Sequence, residues 1–348
     1  MEKKVPSILG FRMPAEWEKR EATWLSWPHN KLTWESIEEI EKTYTEIISE
    51  LHEGEKVNVL VNDSETEKKA GKMLSEKKAD FSQITFHKIE TVDAWIRDYG
   101  PNFIVKTKRD NKKDDVAFNH WIFNAWGNKY EEFKKDTEIP SKINEHLKMK
   151  VFSPGIVLEG GSVEVNGSGV CMTSEQCLLN KNRNPKLSKA QIEKYLRDYL
   201  GISEVLWLKE GIAGDDTDGH IDDIARFTDK NTVLCCFAEK GDENYEALKE
   251  NFKILKNYRT EISREKLKVS KLPVPKVEFD GQPLPASYAN FYIAQNKVLV
   301  PVFEDKNDEK ALKIIQQHFP ERKIVGINCR KLVYGLGTIH CITQQQPM

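Results

Sequence analysis

The chain has 348 residues, of which 39% are hydrophobic and 31% charged, and its 53 Lys and Arg balance 55 Asp and Glu to a formal charge of −2. This composition is typical of a globular protein and argues against a disordered or coiled-coil chain. The balanced charge argues against a dedicated nucleic-acid-binding protein and against a protein that binds anionic membranes.

Apolar runs and cysteines indicate the cellular compartment of the protein. No apolar run approaches the ~20 residues of a membrane-spanning helix, and the first residues lack the apolar core of a signal peptide. The six cysteines show no CxxC spacing, which excludes the common zinc and redox motifs. We therefore expect a cytoplasmic protein without disulfides. A homodimer is expected, since homo-oligomers are common among soluble enzymes.

Helices and short strands alternate along the chain. The first helix is predicted over 33–51, where apolar residues recur at three-to-four spacing and Ser36 is placed to cap the N-terminus. Another clear helix is predicted over 189–200, with Ser188 and Gln191 as a capping box. Weaker helical patterns cover 65–74, 244–255 and 308–318.

Between the helices lie short runs with the composition of β-strands. A hairpin is predicted over 289–302 around Asn296, and the polar stretch 106–115 is expected to be a solvated loop. No long linker divides the chain, so we expect one α/β domain over 1–348, built from short strands rather than a doubly wound sheet. The predicted strands are 57–61, 84–87, 103–106, 162–165, 170–173, 205–208, 232–237, 291–294, 298–302 and 324–327.

Two loop segments carry carboxylates that suit a cationic ligand. In segment 93–101, Asp98 and Trp95 suit a planar cation through charge and stacking. The alternative is a structural pair of Arg97 with Asp98, with Trp95 in the core. Glu159 precedes two glycines at a sharp bend, where the alternative is a turn with a solvated glutamate.

The most unusual segment is 214–227, in which five aspartates flank His220. On a strand, His220 and Asp222 would share one face and form a general acid/base pair. The EF-hand template fails, because Gly214 and Ala225 occupy the positions of its two essential carboxylates. A His/Asp metal site and a purely structural turn are the alternatives.

Cys341 follows two glycines, whose flexible backbone suits close approach of a substrate. The adjacent His340 would face the other way on a strand, so His220 is the better partner for a thiolate. The alternative is a buried, inert cysteine. In combination, one Cys, one His and three carboxylates suit attack on a cationic, resonance-stabilised carbon. A serine-hydrolase elbow, a P-loop and an H-E-x-x-H helix are absent.

Five motifs stand in order along the chain: WIRDYGP at 95–101, FNAWG at 123–127, LEGG at 158–161, GHID at 219–222 and IHCITQQ at 339–345. In this order and at these intervals they resemble the agmatine deiminase family, a branch of the guanidino-modifying penteins. The resemblance covers nearly the whole chain. It implies an α/β propeller of five ββαβ modules around a pseudo-fivefold axis, the pentein fold.

The resemblance also implies residue roles, carried over position by position. Cys341 is the implied nucleophile and His220 the general acid/base. Asp98 and Asp222 match the carboxylates that grip the guanidinium, and Glu159 matches the acid near the His and the substrate. The implied reaction hydrolyses agmatine to N-carbamoylputrescine and ammonia, a step of putrescine biosynthesis, through a covalent Cys thiouronium intermediate. No metal or organic cofactor is implied.

The identity of the substrate depends on the residues that would contact its tail. Trp95 is a further candidate for substrate binding, and Asp218 is one of the spare carboxylates that could receive an ammonium tail. The family usually has GGGN where this chain has GLGT at 335–338, so peptidyl-arginine or free arginine is the alternative substrate. The secreted peptidyl branch carries signal peptides and extra domains, and neither is apparent here, which favours a small free amine.

Three alternatives come from other functional classes. A non-catalytic guanidino-binding protein would be expected to lose Cys341 or His220, and both are present. A metal-dependent amidohydrolase would need several His ligands, whereas the histidines here are scattered. A cysteine protease of the papain type would need a sequence context that Cys341 lacks.

Overall fold

The computed structural model describes residues 5–108, 115–261 and 264–348, so most of the predicted loop 106–115 lies outside the described residues. The helices are α1 Ile37–Leu51, α2 Ser64–Glu76, α3 Ile96–Tyr99, α4 Ala125–Asn128, α5 Ile139–Leu147, α6 Glu175–Leu178, α7 Lys189–Leu200, α8 Tyr245–Asn257 and α9 Asp308–His318.

The strands are short and spread over the whole chain. They are β1 Phe11–Arg12, β2 Arg20–Ser26, β3 Lys56–Val61, β4 Ile84–Lys88, β5 Asn102–Lys106, β6 Val116–Asn119, β7 Lys150–Phe152, β8 Glu164–Val165, β9 Val170–Ser174, β10 Glu204–Leu208, β11 Ala225–Asp229, β12 Thr232–Cys236, β13 Lys268–Leu272, β14 Glu278–Phe279, β15 Gln282–Pro283, β16 Tyr292–Ile293, β17 Lys297–Val302, β18 Lys323–Asn328 and β19 Gln344–Pro347.

Within the described ranges, five sheets repeat one connectivity, in which an antiparallel strand pair is followed by a third strand that adds in parallel. These triplets are β5–β6–β7, β8–β9–β10, β11–β12–β13, β16–β17–β18 and β19–β2–β3. A parallel addition needs a crossover connection, and α5, α7, α8, α9 and α1 supply one for each triplet in that order. The predicted α/β class is confirmed.

Helix α7 shows how local sequence sets the ends of an element. The Ser188 side chain accepts a hydrogen bond from the backbone N–H of Gln191, and the Gln191 side chain accepts one from the backbone N–H of Ser188. Gly201 ends the helix at φ 63°, and a Cβ there would lie 2.8 Å from Arg12 Cα. The predicted capping box is confirmed. Ser36 precedes α1 as predicted, but its side chain makes no capping bond.

Some elements differ from the sequence prediction. Strands β2, β6, β11 and β13 and helix α5 are not among the predicted elements. Most residues of β2 and all of β6 are buried, so neither shows the alternation of a half-exposed strand. The predicted strand 162–165 is wrong at its start, because Gly160–Ser162 is a 3-10 helix and only Glu164–Val165 pairs.

The larger apolar core contains the predicted face of α1, including Ile40, Tyr44 and Ile47, and extends to Trp95 and Cys341. This packing anchors the turns that carry the polar residues described below. Across the described parts of the chain, each helix is too short or too polar to cross a membrane.

The capping box of α7 predicts a measurable stability effect. Ser188→Ala removes the acceptor for the Gln191 backbone N–H, so we expect the free energy of unfolding to fall by about 1 kcal/mol. Urea denaturation monitored by circular dichroism measures this change. Ser188→Thr keeps the hydroxyl and serves as the control. Equal stability of the Ala and Thr variants would contradict a capping role.

Candidate active site

A cavity of about 290 Å³ opens from Cys341 to the surface. Its buried residues include Trp95, Asp98 and Cys341, whereas Leu32 is 89% exposed at its other end. Aromatic side chains form much of the wall, and carboxylates are present both at the buried and at the exposed end. The remaining lining includes Thr33, Trp126, Tyr130, Glu132, Phe133, Asp216, Thr217, Tyr334 and Leu336.

Asp98 lies in the short helix α3 and is held from two sides. Its Oδ1 accepts a hydrogen bond from the Gly161 backbone N–H at 2.9 Å, and its Oδ2 accepts one from Trp126 Nε1 at 2.8 Å. Burial raises the pKa of the Asp98 carboxyl, and the charge of His220 lowers it in part. The alternative pairing of Asp98 with Arg97 is wrong, because the Arg97 guanidinium donates to His340 O and Gln345 Oε1.

Three predicted site residues converge on Gly161. A Cβ at Gly161 would lie 2.6 Å from His220 Nδ1, 2.9 Å from Asp98 Oδ1 and 3.0 Å from Asp222 Oδ2. No side chain fits at this position, and its backbone N–H is already bonded to Asp98. The LEGG motif therefore brings Glu159 to the site and leaves room for the neighbouring acids and imidazole.

His220 is buried beside Asp98, with Nδ1 3.7 Å from Asp98 Oδ1. Among the described residues, neither ring nitrogen has a hydrogen-bond partner. Burial lowers the pKa of His220, but the Asp98 carboxylate and the Cys177 thiol outweigh burial and raise it well above its usual value. The raised pKa favours the imidazolium form of His220, in which both ring nitrogens carry N–H groups that could donate to a ligand.

Glu159 lies against a buried cation. Its Oε1 accepts a hydrogen bond from Arg183 Nε at 2.7 Å, and both side chains are fully buried. The alternative of a solvated Glu159 is therefore wrong. Glu159, Cys177 and His220 place one ligand atom each within 4.8 Å of one another.

Asp222 is paired with the histidine next to the cysteine. His340 Nδ1 lies 2.6 Å from Asp222 Oδ2, and His340 Nε2 lies 2.8 Å from Glu16 Oε2. Burial raises the pKa of Asp222, but the hydrogen bond and charge of His340 lower it below its usual range. The Arg226 guanidinium donates a hydrogen bond to Glu16 at 2.7 Å. Asp222, His340, Glu16 and Arg226 therefore form a buried chain of contacts that ends at a cation.

Cys341 is buried among carboxylates. Its Sγ lies 3.9 Å from Asp222 Oδ2 and 3.1 Å from Asn290 Nδ2. Burial raises the pKa of the thiol well above its usual value, and the charges of Asp222, Asp223 and Asp98 raise it further. These effects disfavour the thiolate, and a bound cation would favour ionisation of the thiol.

Two predicted local geometries are wrong. His220 precedes a 3-10 helix, Ile221–Asp223, rather than lying on a strand with Asp222. His340 and Cys341 lie in a turn, so they do not alternate across a strand. The predicted grouping of His220 with Asp222 still holds, because both approach Gly161 from the turn.

The structure does not bring Asp218 into the cavity lining. Asp218 bonds with Arg183, with Lys129 at 3.0 Å and with Asn182 at 2.9 Å. Asp216 lines the cavity instead, and it accepts a hydrogen bond from Tyr130.

Sequence reasoning missed Asn290, Trp126 and Arg183. Trp126 stands in the FNAWG motif, which was a usable signal. Asn290 lies in a segment without charged residues or glycine, and Arg183 lies in the basic segment 180–189, which matches no motif. Two groups in the described chain could hold a metal ion by distance. They are Glu159, Cys177 and His220, and Asp222, Asp223 and Cys341. Arg183 against Glu159 places a cation beside the first group, which opposes a second cation there.

The position of His220 predicts an unusual titration. Because its pKa is raised above the usual value, we expect the imidazole to remain protonated at pH 7.5 and to lose its proton only at higher pH. NMR of protein with labelled histidine, assigned by comparison with His220→Gln, measures this. His87 is an internal control, because burial beside His146 lowers its pKa to about 4. A His220 midpoint at or below 6.5 would contradict the expectation.

Known proteins are similar in sequence to this chain over nearly its whole length. The model of the Porphyromonas-type peptidyl-arginine deiminases matches residues 12–347. The agmatine deiminase of Medicago truncatula is 36% identical over 373 residues, which cover 98% of each chain. That of Pseudomonas aeruginosa (strain LESB58) is also 36% identical, over 98% of this chain and 97% of the relative.

Solved structures agree with the sequence comparison. The agmatine deiminase of Enterococcus faecalis superimposes with a TM-score of 0.91 at 34% identity, covering 100% of this chain and 98% of that one. A substrate-bound cysteine-to-serine variant of C. jejuni agmatine deiminase gives 0.85 at 33%, covering 97% and 96%. A dimethylarginine dimethylaminohydrolase, at 12% identity and 0.50, shares the fold alone and covers 94% and 99%. The chain belongs to the Porphyromonas-type peptidyl-arginine deiminase family, and its resemblance to agmatine deiminases is confirmed.

Proposed function

We propose that the protein is an agmatine deiminase, a hydrolase that converts agmatine and water to N-carbamoylputrescine and ammonia. The observation that carries this proposal is the convergence of His220, Asp98 and Asp222 on Gly161, with Asp222 beside Cys341 and with Asp98 and Cys341 in the lining of one cavity. Agmatine deiminases among its relatives, matched over nearly their whole length, support it.

Carboxylates prepare the guanidinium for attack. A guanidinium is a poor electrophile because its charge is delocalised, and hydrogen bonds from its nitrogens to Asp98 and Asp222 localise that charge and orient the carbon. Within the described chain, Asp222 Oδ1 and Glu159 Oε2 are buried without a hydrogen-bond partner. A guanidinium supplies the N–H donors that these oxygens lack.

Covalent catalysis then proceeds in two steps. The bound cation lowers the pKa of Cys341, the thiol proton passes to solvent, and the thiolate forms a bond to the guanidinium carbon. The His220 imidazolium gives its proton to the leaving nitrogen, and ammonia departs to leave a thiouronium. Neutral His220 next takes a proton from water, which attacks the same carbon. The C–S bond breaks, the ureido product forms, and the remaining proton ends on ammonia.

Glu132 is our candidate for recognition of the ammonium tail, in place of Asp218. It lies at the exposed part of the cavity lining and makes no described ion pair, whereas Asp216 is 3.2 Å from Lys129. An unpaired carboxylate attracts the ammonium of agmatine and repels the carboxylate of free arginine. A peptidyl-arginine or free-arginine deiminase with the same catalytic core is the second candidate, favoured by the family's description.

We also propose one domain over 1–348 in which the five repeated β-β-α-β units form a propeller around a pseudo-fivefold axis. The shared connectivity of the five sheets in the described chain supports this arrangement. Action in the cytoplasm and assembly as a homodimer stay predictions from the sequence.

Ammonia release tests the reaction. We expect release from agmatine, little from arginine or a peptidyl-arginine mimic, and none from agmatine with Cys341→Ala. The enzyme-coupled ammonia assay should be run with all three substrates on both proteins. Ammonia release from arginine or the peptide would agree with the proposed mechanism but would show that agmatine is not the preferred substrate. Activity that survives in Cys341→Ala would reject covalent catalysis.

Glu132→Gln tests the tail site separately. Loss of one exposed charge contact should raise KM for agmatine about fivefold, or about 1 kcal/mol, with kcat nearly unchanged. The neighbouring Glu131→Gln is a matched control, because Glu131 pairs with Lys134 and does not line the cavity. An equal KM in both variants would exclude Glu132 from recognition.

A further inference from the structure

Asn290 contacts the proposed nucleophile, yet no sequence motif marks it. It lies just before β16 and is fully buried. Its Nδ2 is 3.1 Å from Cys341 Sγ and 3.0 Å from Asp223 Oδ1, whereas its Oδ1 is 3.5 Å from the same sulfur. Both amide hydrogens therefore have acceptors, one of them the sulfur.

The orientation of this amide is fixed by its other end. Asn290 Oδ1 lies 3.0 Å from the backbone N–H of His340 and 2.8 Å from Thr338 Oγ1. The His340 N–H also reaches Asn290 O at 3.1 Å, and the Cys341 backbone N–H lies 3.4 Å from the same Oδ1 position. Backbone N–H groups can only donate, so the side-chain atom that faces both of them is the oxygen. It follows that the N–H₂ group faces Sγ, and that the turn carrying Cys341 and the amide hold each other in place.

The charges around the sulfur explain why such a donor matters. Besides burial, the charges of Asp222, Asp223 and Asp98 raise the pKa of the Cys341 thiol and so disfavour the thiolate. The Asn290 amide is a neutral donor that stabilises a thiolate without competing for the carboxylates that would bind a guanidinium. A Lys or Arg in its place would neutralise those carboxylates.

We propose that Asn290 is a catalytic residue, whose amide N–H stabilises the Cys341 thiolate and aims it at the guanidinium carbon. This rests on the proposed function, in which Cys341 is the nucleophile. Asn290 then stabilises the negative charge on sulfur before attack and again when the C–S bond breaks.

Thiol alkylation without substrate tests the proposal. The rate of iodoacetamide modification at Cys341 is followed by peptide mass spectrometry from pH 6 to 10. Asn290→Asp keeps the shape but places an oxygen against Sγ, so the thiol pKa should rise by about one unit or more and the rate at pH 8 fall about tenfold. With agmatine, kcat should fall about 100-fold with KM within about threefold. Asn328→Asp adds the same charge on an exposed asparagine and is the matched control.

A second variant covers a failure of Asn290→Asp to fold, judged by circular dichroism and thermal melting. Thr338→Val keeps Asn290 but removes one donor that fixes its amide, and should shift alkylation in the same direction by a smaller factor. An alkylation profile that coincides with wild type in the folded variants would overturn the proposal. Because alkylation needs no substrate, a shifted profile in a protein that releases no ammonia from any guanidino compound would reject the proposed function alone.

Discussion

Buried carboxylates are stable only when cations or N–H donors are buried with them, and the architecture of this site follows from that constraint. Each acid draws its partner from a different part of the chain, so the site ties distant segments together. The pairs are Glu16 with Arg226, Asp98 with Gly161 and Trp126, Glu159 with Arg183, and Asp222 with His340. Removal of one partner would leave a buried charge unmatched, which costs more than the pair itself contributes.

The same constraint leaves a defined gap for a ligand. In the described chain, the nitrogens of His220 and one oxygen each of Asp222 and Glu159 have no partner, although all are buried. Burial raises the pKa of the Cys341 thiol, and the charges of the acids around it raise this pKa further. In the proposed mechanism, a planar cation supplies N–H donors to the unpaired oxygens and also lowers the pKa of the thiol. Binding and activation are thus two effects of one charge.

Sequence reasoning identified the acids, the histidine and the cysteine, because motifs with unusual composition carry them. It placed helices such as α7 and α9 well, since capping residues and apolar periodicity are local signals. It could not place residues whose role depends on distant contacts. Asn290 has no local signature and acquires its position only when β16 packs beside the turn at 338–343.

A different limit, which is local, explains the error at the acidic segment. Asp215 accepts hydrogen bonds from the backbone N–H groups of Thr217 and Gly219, which bends the chain into a turn instead of a strand. Such side-chain bonding competes with regular structure and is hard to predict from alternation. Asp218 is likewise not part of the cavity lining, because it forms an ion pair with Arg183 that the sequence does not reveal.

Strand β19 directly follows the turn that holds Cys341, and it pairs with β2 near the other end of the chain. Trp24 Nε1 donates to Gln346 Oε1 across 322 positions of sequence. Closing so large a loop is among the slower and entropically costlier events in folding. The turn that carries Cys341, the proposed nucleophile, is therefore anchored by a strand pair that joins the two ends of the described chain, so damage at either end would disturb the position of its sulfur.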